Sequence, residues 1–197
     1  MSGPGPIGRV RAAAVLGMAL LAFESLAAEE VWREYGPARG LFRVRFPAEP
    51  QLSHHEAGTP FGSVRETRYT LRAGDAVLIA ESHELPAMAV ALMPARSVLD
   101  RARVSLIESE EGIPMEPREL ADQRVPAQEF SYRLPGHPPR YRRARAFLAG
   151  TRLYLLVGTA ATPVGPEPQV DRFFESFRFW SEGDEPPGPA GSRSRAE

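Results

Sequence analysis

The chemistry open to this 197-residue chain rests on arginine, carboxylates and four histidines, because it contains no cysteine, no lysine and no asparagine. Thiolate zinc sites, cysteine nucleophiles, disulfides and lipoprotein acylation are thereby excluded. So are Schiff-base lysines and the lysine of a Walker-type phosphate loop. Two histidines stand together, His54-His55, with Glu56 after them. A third, His83, follows Glu81 by two residues, so on a strand the pair shares a face. If the two segments run side by side, His54, His55, Glu81 and His83 make a candidate site for a divalent cation, whose usual ligands are imidazole and carboxylate. The competing reading is solvated histidines on polar strands. His83-Glu84 opens like the His-Glu-x-x-His helix of zinc proteases, but position 87 is alanine and Pro86 would break that helix, so the motif fails.

The second constellation is Arg140, Arg142, Arg143 and Arg145. With Tyr141 it makes a candidate clamp for a carboxylate or another anion, since guanidinium forks match such groups. Alternation divides it, with Arg140 and Arg142 on one face and Arg143 and Arg145 on the other. The competing reading pairs these arginines with the acidic run Glu108 to Glu111. No Gly-x-Ser-x-Gly elbow and no glycine-rich phosphate loop occurs. No carboxylate pair stands in an apolar setting suited to acid–base work. The reading is therefore no catalytic residue and no cofactor.

These groups must be positioned by a scaffold whose densest apolar stretch runs from Arg140 to Trp180. Tyr141–Ala149 and Arg152–Thr159 read as strands, with Gly150 supplying the turn. Leu153, Leu155 and Val157 share one face, while Tyr154 and Leu156 take the other, which places that strand centrally in a sheet. The period then changes: Val170, Phe173, Phe174 and Phe177 form one face of a short helix opened by Pro166 and Pro168. Upstream, Phe42, Val44 and Phe46 alternate with arginines in a strand ended by Pro47. Gln51–Ala57 is polar, a solvent-exposed strand or a loop. Strands are expected near Tyr69–Leu71, over Asp75–Leu85 and over Phe130–Leu134, and a short one at Glu116–Leu120. Pro86–Met93 reads as an irregular apolar connector. Pro94–Glu110 is the best helix, with Gly112 as its expected left-handed cap. Glu108, Glu110 and Glu111 crowd its carboxyl end, where the helix dipole disfavours anions. The order of elements is α+β, helices packed on a mostly antiparallel sheet, with the aromatic end sealing a single interior.

The domain boundaries follow. Residues 1–27 read as a secretory signal peptide: Arg9 and Arg11, the apolar run Ala12–Phe23, then Ser25-Leu26-Ala27 before the cleavage site. Residues 28–180 form a single α+β domain, and 181–197 a disordered tail of Pro, Gly, Ser and charge. No other segment is apolar enough to span a membrane. A net charge of −1 offers no field for nucleic acid. The expected location is periplasmic or secreted, the oligomeric state being left open.

Gly40-Leu41-Phe42-Arg43-Val44-Arg45-Phe46-Pro47, Gly150-Thr151-Arg152-Leu153-Tyr154-Leu155-Leu156 and Phe173-Phe174-Glu175-Ser176-Phe177-Arg178, in this order and spacing, resemble the PsbP-like α/β/α sandwich family. That family includes oxygen-evolving-enhancer proteins, a Ran-binding import factor and exported bacterial proteins. No tryptophan follows Pro47, and no photosystem role is carried over. The resemblance implies a non-catalytic domain that binds a partner, here a protein of the bacterial cell envelope. Metal binding through the histidines and anion binding through the arginines are the alternatives.

Overall fold

The structure, a computed structural model, describes residues 31–37, 42–120 and 124–179. The expected signal peptide, the tail, Gly40, Leu41 and Trp180 lie outside the described residues. The elements run β1 (Arg33–Tyr35), β2 (Phe42–Phe46), β3 (Gln51–Thr59), β4 (Gly62–Ala73), β5 (Ala76–Glu84), α1 (Ala87–Ala91), α2 (Ala95–Ser109), β6 (Ile113–Pro114), β7 (Arg118–Glu119), β8 (Ala127–Leu134), β9 (Arg140–Ala149), β10 (Arg152–Ala160), α3 (Pro168–Glu175) and β11 (Arg178–Phe179).

An eight-stranded antiparallel sheet, ordered β3-β4-β5-β10-β9-β8-β6 with β7 also on β8, divides the molecule. β10 lies at its centre, with Ile79 opposite Val157 on one side and Ala144 opposite Val157 on the other. Alternation sends Leu153, Leu155 and Val157 to one face, beneath Val98, Leu99 and Ile107 of α2. Tyr154 and Leu156 go to the opposite face, beneath a three-stranded sheet β1-β2-β11 and the Val170, Phe173 and Phe174 stripe of α3. A sheet with apolar side chains on both faces needs cover on both. Here α2 supplies one cover, and a mixed layer of strand and helix supplies the other.

The expectation of one interior is corrected on this point: there are two hydrophobic clusters, one on each face of a shared sheet. The aromatic end seals only the first. Phe177 stacks on Phe147 (5.1 Å) and on Phe42 (5.8 Å), and Phe173 meets Phe46 at 5.0 Å. Ser176 fastens this layer: its Oγ accepts the Arg45 N–H at 2.9 Å and donates to the Phe173 carbonyl at 2.7 Å.

Three local expectations also change. α3 ends at Glu175, so Phe177, expected on its apolar face, lies in the link between α3 and β11. The connector Pro86–Met93 contains the helix α1, started by Pro86 and bonded from Val90 N–H to the Pro86 carbonyl. The left-handed residue after α2 is Glu111, with φ 52°, and not Gly112. Gly112 is needed for space, since a Cβ there would lie 2.5 Å from the Tyr132 ring. The crowded acidic helix end is relieved by Arg142, whose Nε donates to Glu110 Oε2 at 3.0 Å.

Candidate binding site

The sheet is covered unevenly on the α2 side. α2 lies over β9 and β8, and the β3–β4 hairpin projects past it. Between hairpin tip, α1 and α2 runs a groove of about 660 Å³, walled by Phe61, Val64, Leu85, Leu92, Met93 and Leu153 with Arg101 and Ser105 at its rim. The tip is held by its own turn. Thr59 Oγ1 donates to the Gly62 carbonyl at 2.6 Å and accepts the Phe61 N–H at 3.3 Å. Gly62 has φ 125°, which a side chain would strain. Phe61 thus stays 55% exposed and Leu92, on the same groove, 66% exposed. Large apolar side chains so displayed in a concavity are costly to solvation and mark surfaces that bind. The volume falls within the usual range of ligand pockets, roughly 300–1,000 Å³.

Beside the groove, on the same sheet face, lies a charged cluster. Register places Glu66 opposite His83 and Arg68 opposite Glu81. Glu81 is 3% exposed. His83 Nε2 lies 3.0 Å from Glu81 Oε2, and its Nδ1 lies 4.0 Å from Glu66 Oε2. Arg68 Nε sits 2.8 Å from Glu81 Oε1 and 2.9 Å from Glu66 Oε1, yet its N–H is aligned with neither as a hydrogen bond. The attraction is therefore mainly that of charges at short range, which offsets the cost of burying the Glu81 carboxylate.

The four residues expected to share a cation do not converge. His55 is in the row of Glu66 and His83, but β4 stands between β3 and β5, and two strand spacings are about 9–10 Å. His54 points to the opposite face, where its Nδ1 meets Thr67 Oγ1 at 3.2 Å. Alternation separates neighbours in sequence, so a His-His pair on one strand cannot serve one metal through both rings. Among the described residues no group of three His, Asp or Glu side chains could hold a metal ion. His54 and His55 both border a polar groove of about 360 Å³, with Glu66, Thr67, Ser82 and Arg152.

The arginines divide between faces as alternation requires, and each has an internal partner. Arg140 pairs with Asp75 at 3.0 Å. Arg142 pairs with Glu110 and also donates to Thr159 Oγ1. Arg143 pairs with Asp171 at 3.0 Å and donates to the Gly165 carbonyl. Arg145 pairs with Glu129 at 2.7 Å and lies 4.8 Å over the Phe174 ring. Arg142 and Arg143 are each 8% exposed. Arg142 and Arg143 join α2 and α3 to the sheet, Arg140 and Arg145 pair within it, and the four do not form one open clamp.

Sequence reasoning missed Glu66 and Arg68, whose relation to Glu81 exists only through register. It also missed Phe61 and Leu92 as a pair. A signal was present, since Pro86–Met93 carries more apolar side chains than a plain connector needs.

No protein-family model matches the chain, and no curated protein matches it. Among solved structures, it is similar to the solution structure of cyanobacterial PsbP (CyanoP) from Synechocystis sp. PCC 6803, with a TM-score of 0.51 and 14% identity over 88% of this chain and 100% of that chain. A Pseudomonas aeruginosa protein of unknown function, PA94, aligns with a TM-score of 0.30 and 9% identity, over 66% of this chain and 82% of that one, too weak a likeness to carry an argument. The fold is PsbP-like, α+β and mostly antiparallel. At this identity the likeness concerns the fold alone. Among the described residues no helix is long and apolar enough to cross a membrane.

Proposed function

We propose that this chain is an exported, non-catalytic binding module of the bacterial cell envelope that grips an apolar segment of a protein partner. The observation that carries the reading is the groove between α1, α2 and the β3–β4 hairpin, with Phe61 and Leu92 held open to solvent at its edge. Burying one such side chain contributes about 1.5–3 kcal/mol, so a few anchors suffice for a modest complex. The rim polar groups, Arg101 and Ser105, would fix orientation. Export is supported by Arg9, Arg11, the apolar run Ala12–Phe23 and Ser25-Leu26-Ala27. The metal alternative draws no support from the placement of His54, His55, Glu81 and His83. The anion alternative meets arginines whose charges are already matched internally.

The test is crosslinking within the envelope. A photoreactive residue at position 105, which lines the groove, should capture a defined partner, and Phe61→Ser or Leu92→Glu should weaken its capture at least tenfold while the melting temperature stays unchanged. Capture that is indifferent to both substitutions would sink the groove reading. Amino-terminal sequencing of the exported form should begin at Ala28. An intact Met1 start would instead favour a retained anchor.

A further inference from the structure

β3 is the end strand of the eight-stranded sheet, and its nine residues, Gln51 to Thr59, are all exposed. Its register with β4 runs without a bulge over nine pairs. Alternate residues of such a strand turn their N–H and C=O groups outward, an open template for another strand. Proteins blunt such edges with lysine, proline, bulges or short length. β3 carries a single formal charge, Glu56, and no lysine, arginine or bulge, and proline stands only outside it, at Pro50 and Pro60.

We propose that two copies of this chain join edge to edge through β3, antiparallel, with His55 opposite His55 of the second copy. Two-fold antiparallel pairing sets residues of equal parity opposite each other. The central registers are therefore those centred on residue 54, 55 or 56. A centre at 56 sets Glu56 against Glu56, and like charges directly opposite are destabilising. A centre at 54 sets His54 against itself and Leu52 against Glu56. The centre at 55 pairs all nine residues and sets His54 opposite Glu56 twice, on one face, with Leu52 opposite Gly58. The two complementary pairs are available. Arg65, across from Glu56 on β4, is taken by Glu84 at 2.9 Å. His54 uses Nδ1 toward Thr67, which leaves Nε2 for a second partner. A Thr67 hydroxyl that donates to Nδ1 leaves the hydrogen on Nε2, which then donates to the Glu56 carboxylate of the second copy.

The experiment is sedimentation of the purified protein over a wide concentration range. A reversible dimer is expected, with β3 amides becoming protected from hydrogen exchange as concentration rises. Glu56→Arg should weaken the dimer at least tenfold, well beyond the small loss of monomer stability that comes from setting an arginine opposite Arg65. Adding His54→Glu to Glu56→Arg should restore association, because each glutamate then faces an arginine. A monomer at every concentration overturns the proposal. So does a dimer that Glu56→Arg leaves intact, or one that the double exchange fails to restore. Capture of another protein's strand by β3, with no self-association, also counts against it.

Discussion

Tyr132 shows how one buried residue sets the chemistry around it. Its ring is fully buried, and its hydroxyl donates to Glu110 Oε2 at 3.1 Å, the oxygen that also accepts from Arg142. Burial first, and the Glu110 carboxylate next, hold the phenol well above the usual tyrosine value. Tyr69 and Tyr154 are raised as well, chiefly by burial. An unfolded tyrosine loses its proton near pH 10 (a value of about 10), whereas the folded one keeps it. The folded state then binds more protons, so stability is intact below about pH 10 and falls as pH rises above it. No lysine or cysteine titrates in that window, which makes the measurement clean. Urea midpoints should drop on going from neutral to strongly alkaline buffer, and Tyr132→Phe should flatten that slope. Arg142→Ala should cost about 1.5–3 kcal/mol, because it strips a charged hydrogen bond from a half-buried carboxylate. Chemical denaturation of the variant checks this.

At the scale of elements, close approach decides the packing of α3. Gly158 on β10 faces Val170, and a Cβ there would lie 2.7 Å from Val170 Cγ1. Gly158→Ala is expected to cost about 1–3 kcal/mol through overpacking. Val170→Ala makes room, so the double variant should be less destabilised than the two single costs added together. Additive costs would show that helix and strand are not in the contact described. α2 is tied differently, by Arg142 at its acidic end and by its apolar stripe. The alternation of β9 explains why Arg142 serves α2 whereas Arg143 and Arg145 serve α3.

For the whole molecule, the consequence of one sheet with two covers is cooperativity. Leu155 and Leu156 are neighbours in sequence, yet they anchor opposite clusters. Alanine at either position should cost about 2–5 kcal/mol. Both variants should still unfold in one transition, seen alike by far- and near-ultraviolet circular dichroism. Two separated transitions would mean that the faces fold as independent units. The groove and the β3 edge lie where this cover stops, at the margin of the stable core.

Periodicity in the sequence was enough to determine β2, β9, β10, α2 and the phenylalanine stripe of α3, because an apolar face repeats every two residues on a strand and about every 3.6 on a helix. It was also enough to split the Arg140–Arg145 cluster between faces. The assembly of Glu66, Arg68, Glu81 and His83, the separation of His54 from His83, and the pairing of Phe61 with Leu92 belong to the tertiary structure. Each depends on which strand lies beside which and in what register, and on how far α2 reaches across the sheet. Those are global properties of packing, set when distant segments compete for the same face, and no local pattern of residues encodes them.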